Sequence, residues 1–74
     1  MIEQGDRVAY SVQFLKAIGM AHSAMARARG TVQAVKRYSK DFVLAEIIWD
    51  MPGMPDKVNV VNLAKAGPNL RFAN

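Results

Sequence analysis

Apolar and polar positions alternate most clearly between residues 42 and 50. Val43, Ala45, Ile47 and Trp49 fall on one face, and Leu44, Glu46 and Ile48 on the other. A repeat of two is the signature of a strand with one buried side. Glu46 marks its own face as the outer one, so the Trp49 face is assigned to the core. Upstream, "RVAY" at 7–10 alternates in the same way, with Val8 and Tyr10 inward and Arg7 and Ala9 outward. The run from Gly30 to Lys36 is also rich in β-branched residues, but Val32 and Val35 stand three apart. One strand buries both only if an extra residue is inserted, which predicts a bulge near Gln33-Ala34. "YSKD" at 38–41 is the turn that joins this strand to the next.

Between the first two strands the pattern changes. "SVQFLKAIGMAHSAMARA" at 11–28 has no alternation. Phe14, Leu15 and Ile18 share one side of a helical turn, Gly19 is placed to end it, and Ala24, Ala26 and Ala28 favour helix. A long, partly helical first loop is expected, and loops of this length inside small domains often carry function. After Trp49, "DMPGMPD" reads as a second loop with Pro52, Gly53 and Pro55 as breakers. "KVNVV" at 57–61 follows as a strand. "NLAKAG" at 62–67 reads as a short helical turn capped by Asn62, and "LRF" at 70–72 as a fifth strand.

The sequence therefore predicts an all-β, five-stranded domain over residues 1–74, with a long first loop and a helical turn before the last strand. Closing so small a sheet into a barrel removes its edges. "GDRV" at 5–8, "RGTVQAV" at 29–35, "LAEIIWD" at 44–50 and "KVNVVNLA" at 57–64, in that order and spacing, resemble a small SH3-like barrel of the KOW and Tudor-like group. The spacing is also similar to that of short uncharacterised phage and prophage proteins with a Phe-Leu-x-x-x-Gly segment in the first loop; here Phe14, Leu15 and Gly19 occupy it. The resemblance implies a fold and a mobile-element origin, and no chemistry, since SH3-like barrels serve unrelated tasks. Plasmid-borne dihydrofolate reductases are similar in "GDRV" and in a Gly-x-Val strand. Their pore depends on a Val-Gln-Ile-Tyr segment, and the matching stretch here, Val58-Asn59-Val60-Val61, lacks the Gln and the Tyr.

Composition narrows the function classes. The 74 residues include no Cys and one His, which leaves no thiolate site and no His-rich metal site. Hydrophobic residues make up 51% and charged residues 22%, as in folded domains. No apolar run reaches membrane-span length, and the acidic N-terminus lacks a signal-peptide pattern, so a cytoplasmic protein is expected. His22 beside Ser23 makes no nucleophile–base pair, and Asp50 and Asp56 lack a third ligand. No catalytic residue, metal or cofactor is expected.

Two surfaces remain as candidates for binding. One is apolar: Phe14, Met20 and Met25 in the first loop, with Met51 and Met54 in the second. Methionine suits adaptable contact surfaces, and these residues either face a protein partner or plug the ends of the barrel. The other is basic. The net charge is +4, and five of ten basic residues lie between positions 27 and 40. Arg27, Arg29, Lys36, Arg37 and Lys40, with Tyr38 to stack on a base, form the alternative, a nucleic-acid-binding module. Arg27 and Arg29 stand at one end of their strand and the other three at the opposite end, so a single patch is not assured by sequence. Outward-facing Leu44, Ile48 and Val61 make a homo-oligomer a further expectation.

Overall fold

The computed structural model describes residues 1–66. Its elements run β1 (Arg7–Tyr10), α1 (Val12–Ala17), a 3-10 turn (Ala24–Arg27), β2 (Gly30–Ser39), β3 (Phe42–Trp49), β4 (Lys57–Asn59), a second 3-10 turn (Val60–Asn62) and β5 (Leu63–Lys65). The strands form one antiparallel sheet in the order β4-β3-β2-β1-β5. The ladder is open, with β4 and β5 as its edges. The expected all-β, five-stranded architecture is thus present.

The longest ladder is the β2–β3 ribbon. Its register slips between Val32 and Ala34, so Gln33 is the extra residue foreseen from the Val32–Val35 spacing. Val32 faces Ile47, and Val35 faces Ala45. A second slip, between Arg37 and Ser39, leaves Tyr38 unmatched just before the tip. The β3 alternation holds: Val43, Ala45 and Ile47 are buried, Trp49 is half-buried, and Ile48 is exposed. The core is completed by Val8, Tyr10, Leu15, Val32, Val58 and Leu63. Removing such side chains from water contributes roughly 1.5–3 kcal/mol for each full burial.

The first loop folds as its sequence suggests. The Ser11 hydroxyl accepts from the Phe14 amide and caps α1. Gly19 adopts φ 73°, with its amide bonded to the Lys16 carbonyl and that of Met20 to the Leu15 carbonyl. This paired closure needs a left-handed residue, which glycine supplies without strain. Ile18 is the helix C-cap and lies exposed, although its spacing from Leu15 assigned it to the apolar side. The 3-10 turn at Ala24–Arg27 packs back on β1 and α1. That packing explains a second departure: Ala9, expected to face outward, is buried along with Val8 and Tyr10.

The end of the described chain differs from expectation too. The helical turn lies at Val60–Asn62, two residues before its predicted start, and "LAK" is strand, not helix. Pairing of Leu63 with Tyr10 and of Ala64 with Ala9 overrides the local helical preference of the alanines. β4 accordingly stops at Asn59, whose side-chain oxygen accepts from the Val61 amide. The strand expected at 70–72 lies outside the described residues.

Candidate functional site

Two groups of aromatic side chains form, one at each end of the β2–β3 ribbon. At the end where β2 starts, Tyr10 is sandwiched between two rings. Its centroid is 5.4 Å from Phe14 and 5.0 Å from Trp49, with interplanar angles of 24° and 15°. Chain geometry dictates this row. Tyr10 closes β1, Phe14 lies in the first turn of the helix that Ser11 starts, and Trp49 closes β3 opposite Gly30. A Cβ built on Gly30 would lie 2.6 Å from Ile47 Cγ2 and 3.1 Å from the Trp49 ring. The glycine is therefore the floor on which the indole rests. The Trp49 indole N–H donates to the Pro55 carbonyl at 2.8 Å, which ties the second loop to the row. Burial pushes the Tyr10 phenol above its ordinary value.

Charged groups frame this end. The Arg7 guanidinium donates to both carboxylate oxygens of Asp50 and, at 3.0 Å, to the Thr31 hydroxyl. The bond from Arg7 holds the Asp50 carboxyl below its usual range and raises the guanidinium in turn. Asp6 is also lowered, first by the Glu3 amide it accepts from and then by Lys65.

Of the apolar candidates, Met25, Met54 and Phe14 are half-buried and pack against the core. Met51 is half-buried as well, so neither methionine of the second loop stands fully exposed. Met20 is exposed. Sequence reasoning left Val12 out of the surface set and set Ile18 on the wrong side. With Met20 and Val61 these two make up half of the large exposed apolar side chains in the described residues. Two of the four lie close together. The Ser11 amide donates to the Asn62 carbonyl at 2.8 Å, so Val12 and Val61 are the next residues of two joined segments. Val12 and Val61 are 48% and 70% exposed. Ile18 and Met20 lie at the far end of α1, about 9 Å along its axis.

The basic candidates divide. Arg27 ends the first 3-10 turn and is exposed. Arg29 is half-buried, and its guanidinium donates to the Ala26 and Ala28 carbonyls at 3.3 and 2.9 Å. It fixes the entry to β2 instead of standing free for a ligand. Lys36, Arg37, Tyr38 and Lys40 lie at the opposite end of β2 and are all exposed. Eight residues of strand separate Arg29 from Arg37, roughly 26 Å at about 3.3 Å each. Lys36 pairs with Glu46 at 3.2 Å. Tyr38 meets Phe42 across the tip, with centroids 5.4 Å apart and planes tilted by 34°. Phe42 was not foreseen as a surface residue. Its place just outside the alternation of Val43, Ala45 and Ile47 was the available signal.

Among the described residues no cavity is present, no group of acidic or histidine side chains is arranged to hold a metal, and no helix is long and apolar enough to cross a membrane. Comparison with protein-family models, curated proteins and solved structures finds no match to this chain.

Proposed function

We propose that this chain is a small, non-catalytic protein–protein interaction module built as an SH3-like barrel. The barrel reading is supported by the place of β1 between β2 and β5, the long connection from β1 to β2 and the 3-10 turn that leads directly into β5. The interaction reading rests on one observation: Val12, Ile18, Met20 and Val61 stay exposed on the first loop and on the turn bonded to it. A chain this small needs apolar burial for its own stability. Such side chains left in water on the first loop and on the turn bonded to it are therefore better explained by a partner that covers them.

No pocket opens among the described residues, so the surface suits a protein face better than a small molecule, which binds in a concavity. The test is site-specific photocrosslinking in the cells that make the protein. A benzophenone amino acid at Val61 is expected to capture one protein species, and the same group at Lys57 none. Equal labelling at both positions, or none at Val61, overturns the reading. Sedimentation of the purified chain shows whether the captured species is a second copy.

A further inference from the structure

The tip of the β2–β3 ribbon plays no part in that surface. It lies at the far end of β2 from the aromatic row. Its turn is only Lys40-Asp41, with Ser39 opposite Phe42. Tyr38 is 61% exposed and Phe42 45%. A hairpin tip gains little in stability from two large rings held largely in water. The slip in register at Tyr38 frees that residue from the ladder and sets its ring beside Phe42. The same end of the hairpin carries Lys36, Arg37 and Lys40, against Asp41 and Glu46, of which Glu46 is engaged by Lys36. The tip thus combines two accessible π faces with an excess of positive charge.

We infer that the Tyr38–Phe42 tip is a docking site for single-stranded nucleic acid, with Tyr38 and Phe42 stacking on bases and Arg37, Lys40 and Lys36 meeting the phosphates. Charge complementarity selects this occupant: an apolar peptide would use the rings and leave Arg37 and Lys40 without partners. Unpaired bases expose the flat faces that such rings accept, whereas a duplex hides them in its own stack. The placement also separates this surface from the one built on Val12 and Val61. It drops Arg27 and Arg29 from the ligand set, because they lie at the other end of the ribbon and Arg29 is held by backbone carbonyls.

The test uses the full chain and fluorescein-labelled oligonucleotides of twelve nucleotides, oligo-dT and oligo-U, read by fluorescence anisotropy. Binding to at least one is expected. A fourfold rise in salt is expected to weaken it about 20-fold, as three phosphate contacts on a single strand imply. Tyr38→Ala and Arg37→Glu are each expected to weaken binding about tenfold or more, and Arg27→Glu less than about threefold. A preference between oligo-dT and oligo-U tells whether DNA or RNA is the natural ligand. No binding of either at low salt overturns the inference. So does a duplex bound as tightly as the single strands, or an Arg27→Glu defect equal to that of Arg37→Glu, because net charge alone then explains the affinity. Tyr38→Ala binding as well as the parent chain would remove stacking and overturn it equally. Both tip side chains are exposed, so the variants are expected to fold, which the circular dichroism spectrum checks.

Discussion

Tyr10 and Tyr38 are the only tyrosines of the chain, each near one end of the same ribbon, and their fates are opposite. Tyr10 is 3% exposed and stacked on both sides; Tyr38 touches one ring and is otherwise in water. The difference lies in what each end has to cover it. The β2 entry has a long loop, a helix and a proline-rich connection folded over it. The tip has a two-residue turn and nothing more. An aromatic group is core where the chain supplies a lid and surface where it does not. That is why one group is read as structure and the other as a binding site.

Truncation at the covered end is the strongest test of this contrast. Tyr10→Ala is expected to destabilise the domain by about 3–5 kcal/mol, close to the whole stability of a small domain. Urea unfolding followed by the fluorescence of the single Trp49 measures it. A loss below about 1 kcal/mol would show that the row does not cap the core. Gly30→Ala comes next. Its new methyl group meets the Ile48 carbonyl at 2.9 Å and Ile47 Cγ2 at 2.6 Å, and an overpacked site of this kind costs about 1–3 kcal/mol. The same unfolding curves report it, and the Trp49 emission maximum is expected to shift as the ring is displaced.

Acid gives a smaller effect with a definite sign. The Asp50 carboxyl is held below its ordinary 3.8 by Arg7. The folded chain therefore binds fewer protons there than the unfolded chain, so the contribution is complete above that value and is lost as pH falls through the lowered one. The urea midpoint of the parent chain is expected to fall more steeply in acid than that of Asp50→Asn. Parallel curves would sink the assignment. Smallest of all is the tip: Tyr38→Ala and Phe42→Ala are each expected to change stability by less than about 0.5 kcal/mol, the range of exposed substitutions. A larger loss would mean that the two rings hold the hairpin together, and the contrast between the ends would fail.

Much of this architecture is legible in the sequence because it depends on local spacing. The β3 alternation, the bulge implied by Val32 and Val35, and the stop at Gly19 are each dictated by neighbours within a few positions. The parts that were misread depend on distant contacts. Ala64 and Leu63 form a strand because β1 lies beside them. Ala9 is buried because the first loop returns over it. Arg29 is the local exception: it is spent on the nearby Ala26 and Ala28 carbonyls, although its basic neighbours in sequence suggest a surface for a ligand. The aromatics follow the same local pattern: alternation sets Tyr10 and Trp49 toward the core, and the turn leaves Tyr38 exposed. Of the candidate residues, Met20 and the tip cluster keep the exposure a surface role requires, whereas Met25 and Met54 are largely committed to packing.

The bulge at Gln33 bears on how the ribbon accommodates changes in length. In an ordinary strand, one residue more or less throws every later side chain to the opposite face. Here Gln33 and Ala34 together oppose Glu46, so Val32 and Val35 keep the same orientation despite the odd interval. Shortening the chain by Gln33 alone would leave a regular ladder with Lys36 and Arg37 on their present sides. A deletion at Glu46 would instead invert half of β3. β2 thus tolerates a frame error that β3 does not.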